Sequence, residues 1–582
     1  MKNIIKTFLF FAIAVSVFSC DKELDIPLST LSESELVPDV DLAEKFTVAA
    51  YGALEMRREA AASNWTFGGT GSDNAYKGST PGDQSEITQM EVYEVSPNNE
   101  YVRLRWRGLY EGVARANAAI NVVNRGLESG AIDAELGNTY LGELRFLRGF
   151  FHFQAKMTFG NVPYVDENTT ENPGNENDIW PNIEADFQFA IDNLDPDPVR
   201  YAGANQWNSK AYLAKVHMYQ MDYPAAKPIL QDIIDNGPYN LTPSFHQNFN
   251  YAYNNNGETV FAVQYAVNDG SGASQDNGNQ GDELNYPHSA SPFGCCGFYQ
   301  PSHDLVNAYL TDSNGLPLTT PISDPADYVA NTDPSDIVSG SPRNVPVEDG
   351  DAGTSIFPEE TRTLDPRLDW TVARTGIPLF DRGDFMLSWA RDPANGGPYY
   401  SKKLLWSEAD DGLARVAGGW GQNIGTIQTN LIRYAEILLW RAEIAASESD
   451  LMTAMNLVDE VRARNMDSAN WVKENDGVTD AANYAIGLYE DTYPGGFPDA
   501  TFAMNAVVME YRLETALEGH RFFDLVRRGI AEQVLNGYLS RPQFRGYLSS
   551  ASFTVKRSIY PLPQEAINLA FGALNQNDFS QN

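Results

Sequence analysis

Apolar residues recur at the 3.6-residue spacing of a helix in two separated parts of this chain, residues 41–236 and 427–582, and are largely lost in between. In the first part, 41–58 places Leu42, Phe46, Ala49, Ala50 and Leu54 on one face, and 100–123 does the same with Trp106, Tyr110, Val113 and Asn117. A third helix is predicted over 134–159 through Leu144, Leu147 and Phe151, ended by Gly160 and Pro163. Helices at 178–194 and 206–221 follow, and "AYLAKVHMYQMDYPAAKPILQDII" runs from the second of these through a turn at 222–224 into 223–236. Short antiparallel pairs with Ala211, Ala214 and Ala225 at their contacts are similar to tetratricopeptide repeats. The second part predicts helices at 428–447, 451–465 and 502–529. An amphipathic helix must cover its apolar face, so the late helices have to rejoin the early ones. The expectation is one mainly α domain: a tetratricopeptide-like scaffold from 41–236 and 427–582, interrupted by an insertion of irregular loops and β-hairpins at 237–426. Within the insertion, β-prone runs such as "TVFAVQYAV" alternate with Gly, Asn, Asp and Pro loops at 268–285 and 311–366. Residues 63–97 read as loop for the same compositional reason.

The chain start sets the compartment. Lys2 and Lys6 precede an apolar run from Thr7 to Phe18, then Ser19 and Cys20. The run is too short for a permanent membrane span and has the layout of a secretory signal. A cysteine directly after it resembles the lipobox of bacterial lipoproteins, from which Phe18 is a bulky departure; the alternative is an ordinary signal beside an idle cysteine. The expected organisation is a signal at 1–19, a lipidated tether at 20–40 that begins at Cys20, and the domain at 41–582. Asp21, Lys22 and Glu23 resemble the acidic stretch that exports some Bacteroidetes lipoproteins to the cell exterior.

With 78 acidic against 41 basic residues, the formal charge is −37. That balance excludes nucleic acid as a partner and disfavours adhesion to anionic lipid, leaving a covalent anchor as the membrane attachment. Three cysteines make no disulfide framework.

Tempting catalytic groups have simpler readings. Glu510, Glu514 and Glu518 recur every four residues, with His520 and Arg521 just beyond, which suits ion pairs on a helix held to the bundle by Leu513, Leu517, Phe522 and Val526. No histidine pair has metal-ligand spacing, and no HExxH, GxSxG, Walker A or dinucleotide fingerprint occurs. The adjacent Cys295 and Cys296, in "SPFGCCGFYQPSHDLVNAY", are either a reduced pair or a vicinal disulfide whose ring offers a flat apolar face.

Several blocks together carry a resemblance. "WRGLYEGVARANAAINVV", "GELRFLRGFFHFQAKMTFGNVPY" and "SKAYLAKVHMYQMDYPAAKPIL" in the first half, with "LIRYAEILLWRAEIA", "EYRLETALEGHRFFDLVRRG" and "IYPLPQEAINL" in the second, are similar in order and spacing to the SusD/RagB family of Bacteroidetes outer-membrane lipoproteins. The resemblance implies a SusD-like fold and a non-catalytic surface binder, usually of glycans, that sits as a lid on a SusC-like TonB-dependent transporter. It also implies ligand contacts from loops. "GGTGSDNAYKGS" matches the family's acidic loop, with Asn74 where a second aspartate is usual, and gives Asp73, Asn74 and Tyr76 as candidates. The inserted region adds Phe298, Tyr299, Trp389, Tyr399, Tyr400, Trp406 and Trp420 as an expected exposed aromatic cluster, because sugars stack their C–H faces on such rings.

No cofactor or metal is expected; the Asn- and Asp-rich loop 268–285 offers oxygen ligands to calcium but lacks EF-hand spacing. The chain's acidity repels sulfated or uronate-rich polymers and favours a neutral glucan. The alternatives are capture of peptides, as in the RagB branch, and a surface glycoside hydrolase.

Overall fold

In the computed structural model of the chain, residues 38–55, 61–270, 277–288, 291–318, 362–540 and 546–578 are described, with the backbone of a hairpin at Val345–Asp349 and Gly353–Phe357. Cys20 and the proposed signal and tether up to residue 37 lie outside them, as does most of the loop 311–366.

The scaffold is a run of antiparallel helices: α1 (Val40–Tyr51), α2 (Glu100–Ser129), α3 (Ala134–Phe159), α4 (Trp180–Asn193), α5 (Gln206–Tyr219) and α6 (Tyr223–Asn236). After the insertion come α7 (Tyr434–Ser447), α8 (Leu451–Ala463), α9 (Ala500–Glu514), α10 (Arg521–Arg527) and α11 (Ala531–Leu539). Local chemistry sets most boundaries. Asn99, Asp133, Asp222, Asp450 and Asp499 each accept a backbone N–H in the first turn of the following helix, satisfying donors the helix cannot. Gly130 ends α2 in the left-handed region, at φ 73°.

The late helices do rejoin the early ones: α7 packs against α6, α8 and α9, and one apolar cluster runs from Ala43 and Phe150 through Tyr212 to Trp440 and Val507. Helix α7 is buried from Tyr434 to Ala446, so its polar side chains need internal partners. Glu443 accepts from Arg527, Arg528 and Tyr223, and Glu436 from Tyr511.

Four expectations change. On α1 the buried stripe is Ala43, Thr47, Ala50 and, just beyond it, Leu54; Leu42 and Phe46 flank it and Ala49 is exposed, because small side chains let α2 approach. Residues Thr429–Arg433 are a strand, paired with Thr259–Val263, so α7 begins only at Tyr434. The single helix expected at 502–529 is two, broken at 515–520, because the chain there passes close under residues 63–68. A Cβ on Gly519 would stand 1.8 Å from the Ser63 carbonyl oxygen, and Gly519 itself has φ 75°. Residues 65–79 form a buried turn and a short strand, Ala75–Gly78, instead of a solvated loop.

The insertion is keyed to the scaffold by buried charges. Glu510 pairs with Arg367 and Arg462; Glu514 pairs with Arg367, Arg433 and Arg464; Glu518 pairs with Arg433 and Lys403. Arg367 and Lys403 belong to the insertion, as does Glu258, which holds Arg433 and Arg464. These glutamates are therefore ion-paired as the spacing suggests, but inside the core, and Arg521 pairs elsewhere.

Candidate functional site

The segment Ala75–Gly78 pairs antiparallel with Phe298–Pro301, joining the acidic turn at 71–74 to the loop that carries the two cysteines. That turn faces inward. Asp73 accepts both Nε and Nη2 of Arg521, at 2.8 and 2.9 Å, and lies 3.2 Å from Arg512. Asn74 Oδ1 accepts from Arg512 Nε at 2.8 Å, and the Tyr76 hydroxyl lies 3.2 Å from His303 Nδ1. All three expected contacts are buried, at 0 to 2 % exposure; Asp73 and Asn74 fasten the first part of the chain to α9 and α10, and Tyr76 fastens it to His303 of the insertion.

Burial also corrects the aromatic cluster. Phe298, Tyr299 and Tyr399 join the main core, with Tyr299 packed 5.8 Å from Trp65 and Tyr399 5.4 Å from His303. Trp389, Tyr400 and Trp406 build a second, smaller core with Tyr286, Phe293 and Phe385. There Trp406 meets Phe293 and Tyr286 edge to face, at 5.1 and 5.4 Å, and its indole N–H donates to Asp411. An irregular insertion with few ladder hydrogen bonds needs its own apolar centre, and these rings supply it.

Trp420 differs. It is 53 % exposed, and no other tryptophan is exposed among the described residues. It stands on the tip of a hairpin, Arg415–Ala417 with Asn423–Gly425, closed by a Gly418–Gly421 turn in which Gly421 has φ 90°. The hairpin is pinned to its surroundings: Gln422 Nε2 donates to Glu283 at 3.1 Å, and Asn423 Nδ2 donates to the Phe293 carbonyl at 2.6 Å. Phe293 leads directly to Gly294, Cys295 and Cys296.

The two cysteines form a vicinal disulfide, with Cys295 half-buried and Cys296 buried. Gly297 follows at φ 88°, where a Cβ would stand 3.1 Å from Arg391 Cβ. Arg391 donates to Ser79 at 2.7 Å and forms an ion pair with Asp83, both ion-pair side chains being 29 % exposed. His288 is half-buried beside them; burial, and then the Arg391 charge, lower its pKa. Sequence reasoning had missed Asp83, Arg391 and Leu413; the last is 64 % exposed in the short helix leading into the Trp420 hairpin. Nothing in their local pattern marks them, and Asp83 meets Arg391 only across 308 residues of chain.

In the described part of the loop 268–285, Asp282 accepts from Asn279 and Asn285 and from Ser63 outside the loop, and burial raises its pKa. Among the described residues no group of three or more His, Cys, Asp or Glu side chains is arranged to hold a metal ion. No helix among them is long and apolar enough to cross a membrane.

A repeat-like helical scaffold with a loop-built face defines the class of protein. The chain belongs to the SusD family, which it matches over residues 257–579; residues 25–218 match a second SusD-like family, described as starch-binding and associating with the outer membrane. It is 24 % identical to the SusD-like protein P38 of Formosa agariphila, over 92 % of this chain and 93 % of that one. A SusD-like protein of Bacteroides ovatus is 26 % identical over 30 % of this chain, a match that spans only 35 % of the relative's length. Among solved structures, surface glycan-binding protein A from Bacteroides thetaiotaomicron, in complex with laminarihexaose, superposes with a TM-score of 0.60 at 19 % identity, covering 93 % of this chain and all of that one.

Proposed function

We propose that this protein is a non-catalytic glycan-binding lipoprotein, anchored through Cys20 at the outer face of the outer membrane, that captures oligosaccharides and delivers them to a SusC-like TonB-dependent transporter. Family membership supports the class, and the fold shared with a laminarihexaose-binding protein supports the ligand type. The observation that carries the site is Trp420: a solvent-facing indole on a pinned hairpin, tied through Phe293 to the half-buried disulfide and flanked in sequence by the exposed Leu413. An indole held at the tip of a turn offers a flat apolar face, which a sugar ring can cover with its C–H face while its hydroxyls reach polar neighbours. The disulfide serves in this reading as a second apolar surface, with the Asp83–Arg391 pair offering both an acceptor and a donor to hydroxyls. The net charge of −37 makes the preferred ligand a neutral glucan.

The test is affinity electrophoresis of a soluble chain starting at Asp21 against laminarin, starch and alginate, with Trp420→Ala beside it and a reducing-sugar assay in parallel. Retardation by a neutral glucan that is lost in the variant, without release of reducing ends, is expected. Release of reducing ends would overturn the non-catalytic assignment, and retardation by alginate alone would overturn the neutral ligand.

A further inference from the structure

Residues 293–297 tie together the parts of the glycan face. The Phe293 carbonyl accepts from Asn423 of the Trp420 hairpin, the Cys296 carbonyl lies 3.5 Å from Arg391 Nη1, and the Gly297 carbonyl accepts from the Ser79 N–H, just past the strand Ala75–Gly78. Inside this short segment sits the Cys295–Cys296 disulfide, and its two halves differ. Cys296 is 5 % exposed and belongs to the main core. Gly297 behind it leaves no slack, since a Cβ there would stand 3.1 Å from Arg391 and 3.2 Å from the Tyr400 hydroxyl. Cys295 is half-buried and follows Gly294, which is exposed and has open space where a side chain would stand. The ring is therefore fixed at Cys296 and open toward solvent at the Cys295 end.

We propose that this disulfide is a redox switch: its reduction by a small dithiol loosens the Trp420 hairpin and lowers glycan affinity, the second effect resting on the glycan reading of this face. The chemistry is thiol–disulfide exchange. A thiolate of the dithiol attacks the Cys295 sulfur, the bond to Cys296 breaks, and the Cys296 thiolate takes up the proton that the dithiol lost. The dithiol's second sulfur, giving up its own proton, then attacks the first; the reagent leaves as a cyclic disulfide and Cys295 as a thiol. Two electrons and two protons pass to the protein, and exchange with an oxidised disulfide runs the same steps backwards. The structural consequence follows from packing. Two bonded sulfurs become two thiols in van der Waals contact, which need more room than the ring did, and a close-packed interior has none to spare. The core holds Cys296, so Cys295 takes the displacement and the chain back to Phe293 moves with it. The Phe293 carbonyl is the acceptor that holds Asn423, so the hairpin loosens at the strand next to the Trp420 turn.

The experiment compares the soluble chain starting at Asp21, whose only cysteines are Cys295 and Cys296, before and after dithiothreitol and again after oxidised glutathione. Thiols are counted in each state, glucan affinity is read by affinity electrophoresis, and amide hydrogen exchange is followed over 415–425. No free thiol before reduction and two after it are expected, with glucan affinity at least tenfold weaker, exchange in the hairpin at least tenfold faster, and both changes reversed by the oxidant. The double variant Cys295→Ser, Cys296→Ser, which cannot close the ring, should match the reduced parent and ignore dithiothreitol. Two free thiols before reduction, a folded chain that dithiothreitol does not reduce, or two thiols gained with affinity and exchange unchanged would overturn the switch; these arms need only the parent chain, so they decide it even if the double variant does not fold. A chain that binds no glucan in either state would overturn the glycan reading and with it the effect on affinity, while exchange over 415–425 still decides whether reduction loosens the hairpin.

Discussion

The carboxylate of Asp73 receives Nε and Nη2 of Arg521 at 2.8 and 2.9 Å, across 448 residues of chain, with Asp73 completely buried. The acidic turn that the sequence offered as a ligand loop is thereby a clasp between the two halves of the scaffold.

Removing one member of such a pair strands the other. Asp73→Ala is expected to lower stability by about 3–5 kcal/mol, the usual cost of leaving a buried charge unpaired. Urea denaturation reads the loss, and the folded fraction keeps the parent's glucan affinity. A variant that is fully stable yet no longer binds would return Asp73 to the ligand.

Tryptophans on the two sides of the hairpin should separate binding from folding. Trp420→Ala, at an exposed tip, is expected to change stability by no more than about 0.5 kcal/mol while reducing glucan affinity at least tenfold. Trp406→Ala, 4 % exposed and packed on Phe293 and Tyr286, is expected to cost about 3–5 kcal/mol. Thermal melts with affinity electrophoresis on both variants check this, and the reverse pattern would move the ligand into the insertion's core.

Acid should dissolve the joint between scaffold and insertion. Burial alone would raise the Glu518 carboxyl, but the Arg433 and Lys403 charges more than reverse this and take it down to about 2. Glu514 is lowered likewise, against its burial, by Arg464, Arg433 and Arg367. A carboxyl with a native pKa below its unfolded value binds more protons once unfolded. Its contribution is therefore present above about pH 4.5 and is lost as pH falls toward 2. Urea midpoints between pH 6 and 2.5 should decline for the parent and more gently for Glu518→Gln; parallel curves would contradict the assignment.

Lys402 gives a slope of the same sign in the alkaline range. Its ammonium is buried, donates to the Pro378 carbonyl at 3.1 Å and lies over the rings of Trp370 and Phe380; burial pushes its pKa down to about 8. From about pH 8 to 10.5 the unfolded chain holds the proton that the native one has released, so this group makes stability rise with pH. The difference in stability between the parent and Lys402→Met should grow in the parent's favour across that window, as read by urea midpoints at pH 7, 8, 9 and 10. A constant difference would show the lysine titrating normally.

Much of the scaffold was legible because helices announce themselves locally. The period-3.6 pattern, the stop at Gly160 and the turn at 222–224 sit within a few residues of what they control, and the helices at 134–159 and 223–236 have the limits expected. The family was legible for a similar reason, its blocks being strings of consecutive residues on those helices. The same pattern misled where a distant partner intervened. Thr429–Arg433 reads as the start of a helix until Thr259–Val263 lies alongside it, and 515–520 reads as mid-helix until the chain at Ser63 crosses beneath Gly519.

For the candidate site the order is reversed. A sequence shows which residues are aromatic or acidic, but exposure is a property of the surface left after packing. Trp406 and Trp420 are alike in sequence, both aromatics in a loop-rich stretch, and only the second core around Tyr286 and Phe293 decided that one is a structural centre and the other faces solvent. Charge behaves in the same way: composition fixed an acidic molecule, while folding decided which acids would be neutralised inside it, by bringing Arg521 to Asp73 and Arg433 to Glu514. By itself the sequence determined a mainly helical member of this family with a loop-rich insertion, since those features follow from neighbours along the chain. Only the tertiary structure decided which side chains reach water, because that depends on residues hundreds of positions away.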